Sequence, residues 1–218
     1  MVQKDTKRPR GRPRAFNEDE ALTRATAVFW RAGYSATSMD DLSAATGMNR
    51  PSLYGAFGDK QALYLTTLER YAQRSRLAMD AALDDTLPLA DALMRVYEGA
   101  LALYFPPKEQ PRGCFLIGTA LTESVEDPEV RARLHDALAE FDNAFEIRLR
   151  SAQQKGELDA SADVKALASV VSAVLYTLAL RSRAGDSRVT LRATASEGIR
   201  LICGERPTSA KSAVRRSR

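Results

Sequence analysis

A chain of 218 residues with 44% hydrophobic content is long enough to bury a substantial core and to make one small unit plus one larger one. Its net charge of +4 is uneven, with +5 on residues 1–14, +4 on residues 205–218 and therefore −5 on the body between them, which is better explained by nucleic acid met at the ends than by a uniformly basic binder. Two distant cysteines, Cys114 and Cys203, exclude a disulfide framework, and the longest near-continuous apolar run, 166–180, is interrupted by Ser169, Ser172 and Thr177 and reads as a buried helix, so no membrane partner is expected.

In chain order, residues 1–14 form a basic arm. Its start is charged with no apolar stretch behind it, unlike a signal peptide, and the reducing cytoplasm is the expected compartment. Arg10-Gly11-Arg12-Pro13-Arg14 has the form of an AT-hook core, a narrow extended segment that lays arginines into an A·T-rich minor groove. Nonspecific phosphate attraction is the alternative for Arg10, Arg12 and Arg14, and the first choice for the Ser-, Ala- and Arg-rich tail at 205–218. The first helix is predicted to open at Asn17 as N-cap with Glu20 three residues on, burying Ala21, Leu22, Ala25, Val28, Phe29 and Ala32.

A second, short helix starts at Thr37 or Ser38, where a hydroxyl accepts from orphan amides and Asp41 completes a capping box; it stops near Gly47. A third begins near Asn49 with Pro51 in its first turn, a position that needs no amide hydrogen. Leu42, Leu53 and Phe57 fall on the buried side, while Arg50, Ser52 and Tyr54 face outward. Helix, glycine turn and second helix make the pattern of a DNA-reading helix-turn-helix. Arg50 is the candidate base reader, since a guanidinium can bond both major-groove acceptors of guanine; Pro51 could meet a thymine methyl, and Ser52 lies beside them. Thr37, Ser38, Asn49, Tyr54 and Lys60 complete the expected DNA-binding set, mostly as phosphate contacts that set register.

The remaining signals are helical throughout: about 59–83, 88–104, 113–125, 127–155 (ended by Gly156), 161–182 and 187–203, with Pro106, Pro107 and Pro111 marking a loop. No Gly-rich phosphate loop, nucleophile motif or metal-spaced cluster is found, so no catalysis, cofactor or metal site is expected; the single histidine, His135, reads as a solvated helix position.

The segments Phe29-Trp30-Arg31-Ala32-Gly33-Tyr34, Thr37-Ser38-Met39, Thr46-Gly47, Ser52-Leu53-Tyr54 and Phe57-Gly58-Asp59-Lys60-Gln61-Ala62-Leu63 together resemble the N-terminal domain of the tetracycline-repressor (TetR) family of bacterial transcription regulators. The resemblance implies an all-α fold. An N-terminal three-helix helix-turn-helix DNA-binding domain (15–62) would join a larger helical effector-binding and dimerisation domain (63–204), with basic ends at 1–14 and 205–218. It also implies a homodimeric repressor on a palindromic double-stranded operator, released by a small-molecule effector. Gly55 and Ala56 stand where the family often places a bulkier or polar residue, so base reading leans on Arg50, Pro51 and Ser52.

The family resemblance assigns the last two helices to dimerisation, for which Val171, Val174, Leu175, Leu178, Ala195, Ile199 and Ile202 are the expected contacts. The effector pocket is expected among the central helices, lined by Tyr97, Tyr104, Phe105, Phe115, Phe141, Phe145 and Tyr176, with Thr119, Thr122 or Glu123 as sparse polar groups. Cys114, expected at a helix N-terminus close to Arg112, is either a small buried residue or an electrophile- or oxidant-sensing thiol of lowered pKa. Two other readings stay open: an architectural binder of A·T-rich DNA, and an enzyme on an all-helical fold.

Overall fold

The chain enters its first helix through Asn17, whose side-chain oxygen accepts from the Glu20 amide at 3.2 Å. The computed structural model describes residues 17–204, so the expected arm with Arg10, Arg12 and Arg14 and the 205–218 tail lie outside the described residues. Helix α1 (Glu18–Ala32) is followed by α2 (Met39–Thr46) and α3 (Arg50–Phe57). The turns between them follow local chemistry. Ser38 and Asp41 form a reciprocal capping box, Gly47 takes the left-handed conformation at φ 71°, and the Asn49 side chain accepts from the Ser52 amide. Leu42 and Leu53 are fully buried with Phe29 between the three helices.

Helix α4 (Lys60–Ala82) runs without interruption from this unit into the body, with the Asp59 side chain capping its start. Helices α5 (Leu89–Tyr104) and α7 (Pro128–Gln154) pack against α4, and α8 (Val164–Arg183) packs between α5, α7 and α9 (Arg188–Ile202). Among the described residues every regular element is helical. Helix α8 is long and apolar enough by composition to cross a membrane, but Val164, Ala168, Val171, Leu175 and Leu178 are buried against its neighbours, as in the core helix of a bundle.

The predicted helix over 113–125 is not regular. Residues Leu116–Ala120 form a π-helical turn that runs into a short α6 (Leu121–Glu123). Such turns accommodate an extra residue in a helix and recur at functional positions. Two glycines bring this segment against α8. At Gly113 (φ 63°) a Cβ would stand 2.6 Å from the Ala179 carbonyl oxygen, whereas at Gly118 it would meet only the far end of Arg183, whose Nη1 donates to the Gly118 carbonyl at 3.2 Å. Gly113→Ala is therefore expected to destabilise, through positive φ plus a clash with fixed backbone, while Gly118→Ala displaces a flexible guanidinium at little cost. Urea midpoints of the two variants check this contrast: the Gly113 variant shifts well below the parent and the Gly118 variant stays near it.

Candidate nucleic-acid interface

The short third helix presents its first turn to solvent. Arg50, Pro51, Ser52 and Tyr54 are exposed, Tyr54 by half, and are held there because Leu53 is driven into the core between them. Asn49 is also exposed but its side-chain oxygen is occupied in capping α3. Ser38 is exposed and donates to Asp41 Oδ2 at 2.6 Å while accepting the Asp41 amide.

Two members of the expected contact set differ from expectation because their polar groups hold the loop between α1 and α2. Thr37 is buried and donates to the Gly33 carbonyl at 2.6 Å. Lys60 donates to the carbonyls of Tyr34 and Thr37 at 3.2 and 3.0 Å and lies 4.2 Å from the Tyr34 ring centroid. The Lys60 bonds tie the loop before α2 to the start of α4. The pattern of residues did not reveal a partner for Arg50, which is Asp40 at the start of α2. Arg50 Nε donates to Asp40 Oδ1 at 2.7 Å and Nη2 to Oδ2, and this pairing holds the Asp40 carboxyl below the usual carboxylate range.

A cavity of about 120 Å³ lies in the body between α4, α5, the π-helical turn, α7 and α8. Of the expected pocket residues, Tyr104, Cys114, Phe141 and Tyr176 line it. Tyr97, Phe105, Phe115, Thr119 and Phe145 do not. Tyr97 donates instead to the Val171 carbonyl at 3.0 Å, Phe145 is fully buried in the core, and Phe115 turns toward Trp30, Tyr64 and Tyr71. Thr119 accepts from the Tyr64 hydroxyl at 2.9 Å. The missed wall is α4, where Tyr71, Ser75, Ala78, Met79 and Ala82 share one face at helical spacing. Apart from Arg95, exposed on α5, the lining side chains carry no charge. The buried Tyr176 hydroxyl makes no well-aligned hydrogen bond; burial together with nearby Asp142 pushes its pKa up to about 12, and the adjacent Ser172 side chain offsets this only in part.

Cys114 sits in this wall with the Tyr71 hydroxyl 3.4 Å from its sulfur. Of its two readings, the small buried residue fits and the thiol of lowered pKa does not. Burial pushes the thiol up, and the Leu116 and Ile117 amides and the hydroxyls of Tyr71 and Tyr104 offset that only in part. Arg112 adds nothing to the sulfur, because its guanidinium stacks 4.0 Å from the Trp30 ring centroid.

The segment carrying Cys114 also supplies the polar contacts to the small helical unit. Trp30 Nε1 donates to the Arg112 carbonyl at 3.2 Å, Ser35 to Glu123 at 3.0 Å, and Gln61 to Asp127 at 2.8 Å, beside the Tyr64–Thr119 bond. One stretch, 112–127, thus borders the cavity and grips the unit that presents α3.

On α8 and α9, the helices expected to dimerise, Val171, Leu175, Leu178, Ala195, Ile199 and Ile202 are buried within this chain, and Val174 packs beside Gly198. Their apolar area is spent on the chain's own core. The exposed large apolar positions are instead Val170 and Leu180 on α8, with Ala166 and Ala173 on the same face, and Val189 and Leu201 on α9.

Residues 21–67 match the family model described as bacterial regulatory proteins, tetR family, and residues 90–196 match that of a tetracyclin repressor-like C-terminal domain. The chain is 32% identical over 195 residues to the HTH-type transcriptional repressor ComR of Escherichia coli, covering 89% of this chain and 93% of that protein. It is 29% identical over 213 residues to the repressor BdcR of the same organism, covering 94% and 100%. A solved cysteine mutant of the TetR family regulator CifR, complexed with 26-bp double-strand operator DNA, superposes with a TM-score of 0.78 at 33% identity, covering 87% of this chain and 98% of that one.

Because Cys114 is held as a neutral thiol, its alkylation by iodoacetamide in a Cys203→Ser background is expected to be slower at pH 7.5 than that of a free thiol. The rate should climb only as pH rises past the ordinary thiol range of about 8.5. A rate at pH 7.5 matching or exceeding the free thiol would show a thiolate and contradict this placement.

Proposed function

This chain belongs to the tetR family of bacterial regulatory proteins, and from that premise we propose that it is a homodimeric transcriptional repressor which binds a palindromic operator and is released by a small neutral effector. The observation that carries the reading is the solvent-facing first turn of α3, with Arg50, Pro51, Ser52 and Tyr54 raised above a buried Leu53. We assign residues 15–62 to DNA binding and 63–204 to effector binding and dimerisation, with α4 as the shared element. The work is done on DNA in the cytoplasm and involves no chemical turnover. The basic residues at 1–14 and 205–218 add phosphate attraction, and Arg10, Arg12 and Arg14 enter the adjacent minor groove.

Dimerisation uses the apolar face left uncovered by the chain itself, Ala166, Val170, Ala173 and Leu180 of α8 with Leu201 of α9. A two-fold pair sets two copies of α3 on one side of the duplex about one helical turn apart. The complex of CifR with operator DNA supports the use of this fold on double-stranded DNA.

The cavity supports the effector half of the reading. Its mostly apolar wall, in which Arg95 is the one charged residue and is itself exposed, disfavours a buried ion, and the Tyr176 hydroxyl offers one donor, so the matching ligand is small, neutral and carries a single acceptor such as a carbonyl oxygen. At about 120 Å³ the space is below the usual ligand range, so entry of the effector must move its walls. Moving Cys114–Ile117 moves the same stretch that holds Trp30, Ser35, Gln61 and Tyr64, and release can be no larger than the effector's differential affinity for the two arrangements.

Selection of bound sequences from a random DNA pool tests the proposal. The parent protein is expected to recover a palindrome, and Arg50→Ala to degrade it at one symmetric pair of bases with a loss of roughly 1–3 kcal/mol. Small neutral carbonyl compounds should dissociate the selected complex where their carboxylate analogues do not. Recovery of A·T-rich DNA without two-fold symmetry, lost on deleting residues 1–14, would favour the architectural reading instead.

A further inference from the structure

Arg50 is not a freely waving side chain. Its guanidinium pairs side-on with Asp40, ten positions earlier on α2: Nε donates to Oδ1 at 2.7 Å and Nη2 to Oδ2. Both residues remain about half exposed or more, so the pair lies on the surface and is not a buried structural bridge. A guanidinium has five N–H donors in a rigid planar fork. The side-on pairing consumes the Nε hydrogen and one hydrogen of Nη2. Both Nη1 hydrogens and the outer Nη2 hydrogen stay available, and these make up the end-on fork that spans the O6 and N7 acceptors of guanine. Phosphate is indifferent to which edge it meets, whereas guanine's two acceptors require the end-on edge at a fixed orientation.

We propose that Asp40 is a positioning residue for base reading, a carboxylate that holds Arg50 edge-on for guanine while its charge discourages Arg50 from binding phosphate indiscriminately. The inference rests on the reading of α3 as the recognition helix. It follows from two features of the pair. The carboxylate restrains the long side chain's rotations before DNA arrives, so less ordering is required on binding. It also offsets the arginine's charge, which weakens the sequence-independent attraction and leaves the geometric one. Asp40 stands outside the Ser38–Asp41 capping box that starts α2, so its replacement leaves that cap in place.

The test uses the full-length protein and the sequence it selects from a random pool, compared with the same duplex carrying adenine, or 7-deazaguanine, in place of the guanine that Arg50 reads. Asp40→Ala is expected to lower the guanine-over-adenine preference by about threefold to tenfold, to tighten binding to unrelated DNA, and to steepen the salt dependence by about one phosphate contact. Asp40→Asn, which keeps one acceptor, should recover part of the preference. In the Arg50→Ala background the Asp40 substitutions should change the preference no further. Circular dichroism confirms folding of each variant. An unchanged or increased preference in Asp40→Ala, or equal effects of Asp40→Ala with and without Arg50, would overturn the inference while leaving the selected palindrome intact. Failure to select any two-fold symmetric sequence would instead overturn the reading of α3 itself, and the inference with it.

Discussion

Four rings meet where the small helical unit joins the body: Trp30 from α1, Tyr64 and Tyr71 from α4, and Phe115 from the stretch before the π-helical turn. Trp30 stands edge-on to Tyr71 at 5.2 Å and 5.6 Å from Phe115, while Phe115 lies 5.5 Å from Tyr71 and 6.1 Å from Tyr64. Pairs of this geometry each contribute about 0.5–1.5 kcal/mol beyond their buried area. Phe115 is fully buried among them, with Arg112 stacked on the outer face of Trp30. Without this junction only α4 and the hydrogen bonds from residues 112–127 would connect the two parts, and the orientation of α3 would depend far less on what happens in the body.

The junction also explains why the cavity is placed to matter. Cys114 lines the cavity and Phe115, the next residue, belongs to the aromatic junction. A wall displacement at one is felt at the other through a single peptide bond, and the Thr119–Tyr64 and Glu123–Ser35 hydrogen bonds extend the same stretch toward the loop before α2. Dense interiors pass small displacements on as changes of packing. The π-helical turn at Leu116–Ala120 is the least regular part of this route and the part that a shift would most readily rewind.

The extent to which this was legible in the residues follows the range of the forces involved. The helices of the small unit were readable because their ends are set by neighbours: Asn17, Ser38 with Asp41, Gly47, and Asn49 with Pro51 act within three or four positions. What failed depended on distant partners. Periodicity marks Val171, Leu175 and Leu178 as apolar but cannot tell the chain's own core from a second copy, and both faces of α8 carry apolar residues. For Cys114 the residues left two readings open, a thiol lowered by the helix N-terminus and a small buried residue, and burial decides for the second. Lys60 reads as a phosphate ligand until the carbonyls of Tyr34 and Thr37 close on it. The Asp40 partner of Arg50 was hidden for the same reason, since the turn between α2 and α3 brings them together.

The claim on which the rest depends is that the aromatic junction joins the two parts into one cooperative body. Trp30 is the chain's single tryptophan and lies in that junction, so urea unfolding followed at once by its fluorescence and by far-ultraviolet circular dichroism reads the claim directly. Coincident transitions are predicted for the parent protein, and their separation for Phe115→Ala, with fluorescence changing at lower urea than helix content. A parent protein in which Trp30 fluorescence changes well before the bulk of the helix is lost would contradict the account.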